Sequence, residues 1–290
     1  MNKLALGTAQ FGEKYGIANK IGAIHLCESK KILKIAKNNN LKFLDTAISY
    51  RGSEKILGKT DISNFKIISK LPDPPYDCSN IKSWVKEQIQ KSLESLRIKS
   101  FYGILLHNSK SILGLNGKKI INSLNEIKLE GFAKKIGISI YDPSELEQVM
   151  NLINIDIIQA PLNIMDRRLE TSGWLDKLFK NNIEIYTRST FLQGLLLMPR
   201  KQIPNKFKKW SFIWDKWHSK IIENNLSATS ICLAYPLSLS KIYCVIVGVD
   251  SSSHLETLLK ESKKNISLKN WSFMESEDKD LINPINWSSL

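Results

Sequence analysis

Eight short apolar runs, most followed by a segment of helical spacing, and no linker or break in composition across 290 residues predict one α/β domain. The expected fold is a closed (β/α)8 barrel, the TIM-barrel architecture, spanning residues 1–290. Several runs are almost continuously apolar, as parallel strands buried on both faces are. An open doubly wound sheet is the alternative, and it would usually carry a GxGxxG turn after its first strand. Here that strand leads into GTAQFGEKYG, whose glycines have the wrong spacing.

In chain order, the expected strands are KLALGTA (3–9), LKFLD (41–45), FKIISK (65–70) and SFYGILLH (100–107), then AKKIGIS (133–139), IDIIQA (155–160), IEIYTRS (183–189) and CVIVG (244–248). Between them, residues 28–37 put Ile32, Ile35 and Ala36 on one helical face. Residues 81–96 do the same with Trp84, Val85, Ile89, Leu93 and Leu96. Segment 142–150 opens with DPSE, which reads as Asp142 at the N-cap, Pro143 at the first helical position and Glu145 closing a capping box. Further helices are expected at 117–130, 171–181, 226–235 and 253–263. The stretch 190–225 is a longer insertion with Trp210, Trp214 and Trp217 on one face, read as packing. The tail after 265 carries no strong signal.

With 42% hydrophobic and 24% charged residues, the chain has material for a sizeable core and no disorder signature. Its net charge of +14 invites a nucleic-acid or membrane partner. The lysines are scattered, however, and the densest short runs, such as 206–209, are modest, so neither partner is expected. The same field would help draw in anionic small molecules. Cys27, Cys78, Cys232 and Cys244 are far apart without CxxC spacing, which favours reduced thiols over a zinc site. The first ten residues hold no signal-peptide core, and no apolar stretch approaches the ~20 residues of a membrane helix. The chain reads as a cytoplasmic protein.

Polar residues fall at the C-terminal ends of the runs: Asp45, Lys70, His107, Ser139, Gln159 and Arg188. In a parallel barrel those ends converge on the face where barrel enzymes build their sites. Tyr50 follows Asp45 by five residues, in LDTAISYRGSE. A phenol with a pKa of about 10 is a poor acid at neutral pH unless a nearby ammonium lowers it. A carboxylate would fix that ammonium, and a neutral imidazole would orient a carbonyl oxygen. Asp45, Tyr50, Lys70 and His107 are those four parts, a general-acid device for a carbonyl oxygen becoming an alkoxide. A cofactor must bring the reductant, because no side chain delivers hydride. Each residue also has a plainer role: Asp45 as a turn cap, Tyr50 as a packing ring, Lys70 as a solvated loop lysine, His107 as a satisfied strand-end histidine. His25, His218 and His254 have no partner pattern.

The pieces LALGTAQFGEKYGIAN, LDTAISYRGSEKILG, IISKLP, LLHN, KKIGISIYDPSEL, IDIIQAPLNIMDRR, YTRSTFLQGLL and VIVGVDSSSHL, in this order and spacing, resemble the aldo-keto reductases over nearly the whole chain. The resemblance implies a barrel that transfers hydride from NADPH to an aldehyde or ketone. Tyr50 would be the general acid, Lys70 would lower its pKa, Asp45 would pair with Lys70 and His107 would orient the carbonyl. Ser139 and Gln159 would hold the nicotinamide carboxamide, and Arg188 would lie against its ring. Gly194 and its loop would run along the pyrophosphate, and Gly248 to Ser253 would receive the adenosine phosphate. There are three departures. Ser139 is followed by Ile140 where the family commonly has Asn. His254 and Leu258 stand where an Arg and an Asn bind the 2′-phosphate. Tyr50-Arg51-Gly52 replaces Tyr-Gly. NADPH remains the first expectation, with Ser251 and Ser252 as phosphate contacts, and NADH is the alternative. A small-molecule carbonyl compound, a sugar or a sugar-derived one, is the expected substrate. The competing reading is a low-turnover, cofactor-binding regulatory or scaffold protein on the same barrel; the oligomeric state is not legible.

Overall fold

A computed structural model describes residues 2–290. Eight parallel strands close into a barrel in sequence order, the last pairing with the first. They are β1 (Leu4–Gly7), β2 (Phe43–Asp45), β3 (Lys66–Leu71) and β4 (Phe101–Leu106), then β5 (Ala133–Ser139), β6 (Ile157–Pro161), β7 (Glu184–Arg188) and β8 (Cys244–Gly248). The outer layer contains α1 (Ala9–Gly12), α2 (Leu26–Asn38), α3 (Ser53–Leu57), α4 (Ile81–Leu96), α5 (Gly117–Leu129) and α6 (Glu145–Val149). It continues with α7 (Arg168–Thr171), α8 (Trp174–Lys180), α9 (Ser211–Glu223), α10 (Ala228–Ser238), α11 (Ser252–Glu261) and α12 (Lys279–Ile282). No helix among the described residues is long and apolar enough to cross a membrane.

Side chains alternate along a strand, and this period of two explains where the polar residues point. The barrel's inner cluster is Ala5, Phe43, Ile68, Leu105, Ile157, Tyr186, Cys244 and Ile246. Two residues beyond Phe43, Ile68, Ile157 and Tyr186 stand Asp45, Lys70, Gln159 and Arg188. Each therefore belongs to the same inward face, one layer nearer the C-terminal end. Register fixes their heights: Asp45 pairs with both Gly7 and Ile68, Ser139 with Gln159, and Pro161 with Arg188. At the opposite end the barrel is plugged by aromatic rings, Phe43 meeting Tyr102, Tyr186 and Tyr243 edge-on. The larger core lies between strands and helices.

The expected helices at 81–96 and 117–130 form almost as read. The expected helix at 171–181 is broken, because Gly173 adopts a left-handed φ of 77° and separates α7 from α8. The helix expected from Asp142 begins instead at Glu145, with Ser144 at its cap. The expected reciprocal bonds do form: the Asp142 N–H donates to Glu145 Oε1 at 2.8 Å and the Ser144 N–H to Asp142 Oδ1 at 3.0 Å, while Asp142 Oδ2 is engaged with Arg168 and Lys279. Trp214 and Trp217 are packing residues: both are buried, and their indoles donate to the Phe207 and Leu196 carbonyls. The tail is ordered in short turns anchored by buried Trp271, Met274 and Trp287.

Candidate active site

Lys70 is 1% exposed, and its three N–H donors are spent on three oxygens. They reach Asp45 Oδ1 at 2.8 Å, Asp45 Oδ2 at 2.7 Å and the Thr46 carbonyl at 2.9 Å. Asp45 Oδ1 also accepts from the Gln159 amide at 2.7 Å. The loop after β2 is held from several sides. Ser53 Oγ donates to the Thr8 carbonyl at 2.9 Å, and buried Glu54 accepts from Ser69 and Ser92. Burial pushes the Glu54 carboxyl up, while those two hydroxyls pull it back. Gly12 permits the close approach of α1, since a Cβ there would fall 1.8 Å from the Arg51 carbonyl oxygen. The Asp-Thr-Ala…Tyr…Ser-Glu block is thus a set of ties that fixes the backbone under Tyr50.

The half-buried Tyr50 ring meets His107 edge-on, with centroids 5.8 Å apart, and the Lys70 ammonium lies 5.2 Å from its centre. Burial first, and the Asp45 carboxylate second, push the phenol above its ordinary value, with Arg188 pulling the other way. The net direction is upward, not the downward one expected from Lys70, whose donors are all turned to Asp45 and Thr46. His107 goes the opposite way. Burial, then the Lys70 and Arg188 cations, bring its pKa down to about 4. Its Nδ1 lies 3.0 Å from Ser49 Oγ.

Two cavities meet these rings. The first, of about 310 Å³, is lined by Asp45, Tyr50, Gln159 and Arg188, by the β1 loop through Tyr15, Gly16, Ala18 and Asn19, and by Ser189, Thr190, Phe191, Gln193 and Gly194 after β7. It continues to Gly248, Asp250 and His254 beyond β8. The β7 loop is backbone of an uncommon kind: Ser189, Leu192, Gln193 and Gly194 have φ of 62°, 48°, 53° and 92°. Non-glycine residues there carry strain of a kind that clusters at ligand sites, and the loop is closed on itself, the Leu192 and Gly194 N–H groups donating to the Ser189 and Phe191 carbonyls at 2.8 and 2.9 Å. Gly194 is also pressed against the β1 loop, where an added Cβ would stand 2.5 Å from Ala18 Cβ. The second cavity, of about 730 Å³, opens at His107. Apart from Pro72, Tyr141 and Ile285 its lining is polar or charged, including Asp73, Asn108, Lys110, Lys279 and Asn286. Arg188 stacks on Tyr141 at 4.5 Å and donates to the Ile140 carbonyl at 2.9 Å.

The model of the aldo/keto reductase family matches residues 3–278. The chain belongs to that family. A curated relative, the uncharacterized oxidoreductase YqkF of Bacillus subtilis (strain 168), is 26% identical over 277 residues, covering 88% of this chain and 89% of the relative. Among solved structures, the holo form of aldo-keto reductase AKR11C1 from Bacillus halodurans is similar at a TM-score of 0.73 and 17% identity, over 94% and 90% of the two chains. The glycerol dehydrogenase AKR11B4 from Gluconobacter oxydans is similar at 0.70 and 17%, over 92% and 88%. These two share the fold. As a member of the aldo/keto reductase family the chain is an NAD(P)H-dependent oxidoreductase, of a kind that acts on small-molecule carbonyl compounds with a nicotinamide cofactor, typically NADPH.

Within this aldo/keto reductase barrel the expected cofactor residues are unevenly placed. Gln159, Arg188, Gly194, Gly248 and His254 line the first cavity. Ser139 lies beside Gln159 on β5 but is buried off the cavity wall. Ser251 and Ser252 are off it as well: Ser251 caps α11 and accepts from the His254 N–H, and the Ser252 N–H donates to Glu28. Residues the sequence reading passed over are Ser49 at His107, Tyr141 under Arg188, Gln10 against Gly248, and Glu28. Ser49 stood in plain view inside AISY. The others touch their partners only through the closure of the barrel.

Proposed function

We propose that the chain reduces a hydroxylated, sugar-like aldehyde or ketone, with Tyr50 as proton donor. The observation that supports this most is the position of the Tyr50–His107 pair. Tyr50 faces the cavity that suits the cofactor, and His107 faces the polar one that suits the substrate. What supports a dinucleotide in the first cavity is the amide of Gln159 and the guanidinium of Arg188 beside Tyr50, with the loop around Gly194 along the same wall. Gln159 and Arg188 would hold the nicotinamide end and the loop around Gly194 the pyrophosphate. When bound, a reduced nicotinamide supplies the hydride that no side chain can.

The side chains do the rest. His107 is held neutral at neutral pH, and in the tautomer whose Nδ1 accepts from the Ser49 hydroxyl its proton sits on Nε2, free to donate to a carbonyl oxygen. That donor orients the carbonyl at the junction of the cavities. Tyr50, kept protonated, hands its proton to the same oxygen as charge develops there, and the product is an alcohol. The Asp45–Lys70 pair acts beneath the ring as a fixed foundation and a compensated charge. The second cavity includes hydroxyl-binding groups in its lining, among them Asp73, Asn108, Lys110, Asn283 and Asn286, which suits a polyhydroxylated substrate.

The test is kinetic. Tyr50→Phe is expected to lower kcat by about 10²–10⁴ while cofactor affinity stays within a few-fold, and an unchanged kcat would remove Tyr50 from the role. Wild-type enzyme is expected to favour glyceraldehyde and aldoses over hexanal by at least about tenfold in kcat/KM. The reverse order would sink the sugar-like substrate.

A further inference from the structure

We infer that Arg188 makes the site choose between the two redox forms of the nicotinamide, holding the reduced ring and turning out the oxidised one. This rests on the dinucleotide reading above and concerns the charge of the ring, not the identity of the cofactor. The two forms share every phosphate and both riboses. They differ in that the oxidised ring is a cation and the reduced ring is neutral, so a fixed charge beside the ring separates them.

Arg188 ends β7 and lines the first cavity with Asp45, Tyr50 and Gln159. A half-buried guanidinium usually has an acidic partner, because an uncompensated charge is unfavourable out of water. Arg188 has none among the described residues. Its Nη2 donates to the Ile140 carbonyl at 2.9 Å and its Nη1 to Ser189 Oγ at 3.2 Å, and its central carbon stands 4.5 Å from the centre of the Tyr141 ring. All three partners are neutral. Of the two carboxylates that line the cavity, Asp45 is taken up by Lys70 and Gln159, and Asp250 lies beyond β8 beside His254.

The Tyr50 end of the cavity therefore carries one positive charge in excess, and its field reaches the groups around it. Burial raises the Tyr15 and Tyr50 phenols, on the loops after β1 and β2, and Arg188 pulls against it at both. At His107, past the end of β4, burial first and then Lys70 and Arg188 favour the neutral ring. A neutral nicotinamide meets this charge without penalty. A cationic one is repelled by it, in a site where water screens poorly. Preference for the reduced form raises the potential of the bound couple by about 30 mV for each tenfold in affinity. Arg188 thus makes the held cofactor a milder hydride donor and hastens the departure of its spent form.

Isothermal titration calorimetry of the whole protein with NADPH and NADP+, and with NADH and NAD+, tests this without turnover. The reduced member of a pair is expected to bind the wild type at least about tenfold more tightly than the oxidised one. Arg188→Gln removes the charge and is expected to shrink that ratio at least about fivefold, by tightening the oxidised form. Arg188→Lys keeps the charge and is expected to keep most of the preference. Melting temperatures confirm that both variants are folded. Equal affinity of the two forms for the wild type, or an unchanged ratio in Arg188→Gln, would overturn the inference while leaving the dinucleotide site intact. So would a ratio lost as fully in Arg188→Lys as in Arg188→Gln. Binding of none of the four dinucleotides would remove the cofactor reading itself, and the inference with it.

Discussion

His107 is the residue whose surroundings depart most usefully from its ordinary chemistry. Its pKa of about 4 against an ordinary 6.5 means that the folded state binds fewer protons than the unfolded chain between those values. Stability therefore rises with pH across that window. The contribution is complete above pH 6.5 and is lost as pH falls toward 4. A nitrogen-15 NMR titration is expected to place the imidazole midpoint near 4, and His107→Asn is expected to flatten the acid side of the melting profile between pH 6.5 and 4. A midpoint near 6.5 would refute the assignment. At this scale the sequence carried the four central residues because each one ends a strand, or the loop after it, and strand ends can be counted. It did not carry Lys70's exclusive commitment to Asp45 and Thr46. That commitment depends on three distances, and the upward push on the Tyr50 phenol comes first from burial, which only the folded barrel supplies.

Elements were legible in proportion to their periodicity. The strands were found because buried parallel strands are apolar runs, and α4 because sixteen residues give four turns of repeating apolar positions. α1 and α3, four and five residues long, offer no such repeat, and neither do the turns of the tail. Glycine at 173 breaks a helix that pattern alone would have run through. The loop after β7 was readable as an insertion but not as left-handed backbone, since Ser189, Leu192 and Gln193 are not residues that announce a positive φ. Gly194 is the position there that tolerates least. Gly194→Ala combines a left-handed φ of 92° with a Cβ 2.5 Å from Ala18. A left-handed conformation alone costs an L-residue roughly 1–2 kcal/mol. The variant is expected to melt several degrees lower and to bind the dinucleotide at least several-fold more weakly, as calorimetry and fluorescence titration would report. Unchanged affinity would mean that the loop does not shape the cofactor site.

For the molecule as a whole, the net charge of +14 acts through its field rather than through any one patch. A dinucleotide carries negative charge, and the field that draws it in is screened over roughly 8–10 Å at physiological salt. Stopped-flow association of the cofactor is expected to slow several-fold between about 10 mM and 300 mM salt, with the dissociation rate nearly constant. A salt-independent association rate would show that the lysines, many of them paired with surface carboxylates, give no steering. The tail is the whole-molecule feature that sequence could least foresee. Its Lys279, Asn283 and Asn286 line the polar cavity, where Lys279 pairs with Asp142. Only a folded chain brings residue 279 to residue 142.

The press of Gly194 against Ala18 bears on the pace of the enzyme. With a dinucleotide in the first cavity, its walls are two loops that meet at that seam, one from the first strand and one from the seventh. Every spent cofactor must leave past them and every fresh one must enter. On the proposed function, the seam would act as a turnstile, and the rate of passage through it would cap turnover however fast the reduction itself.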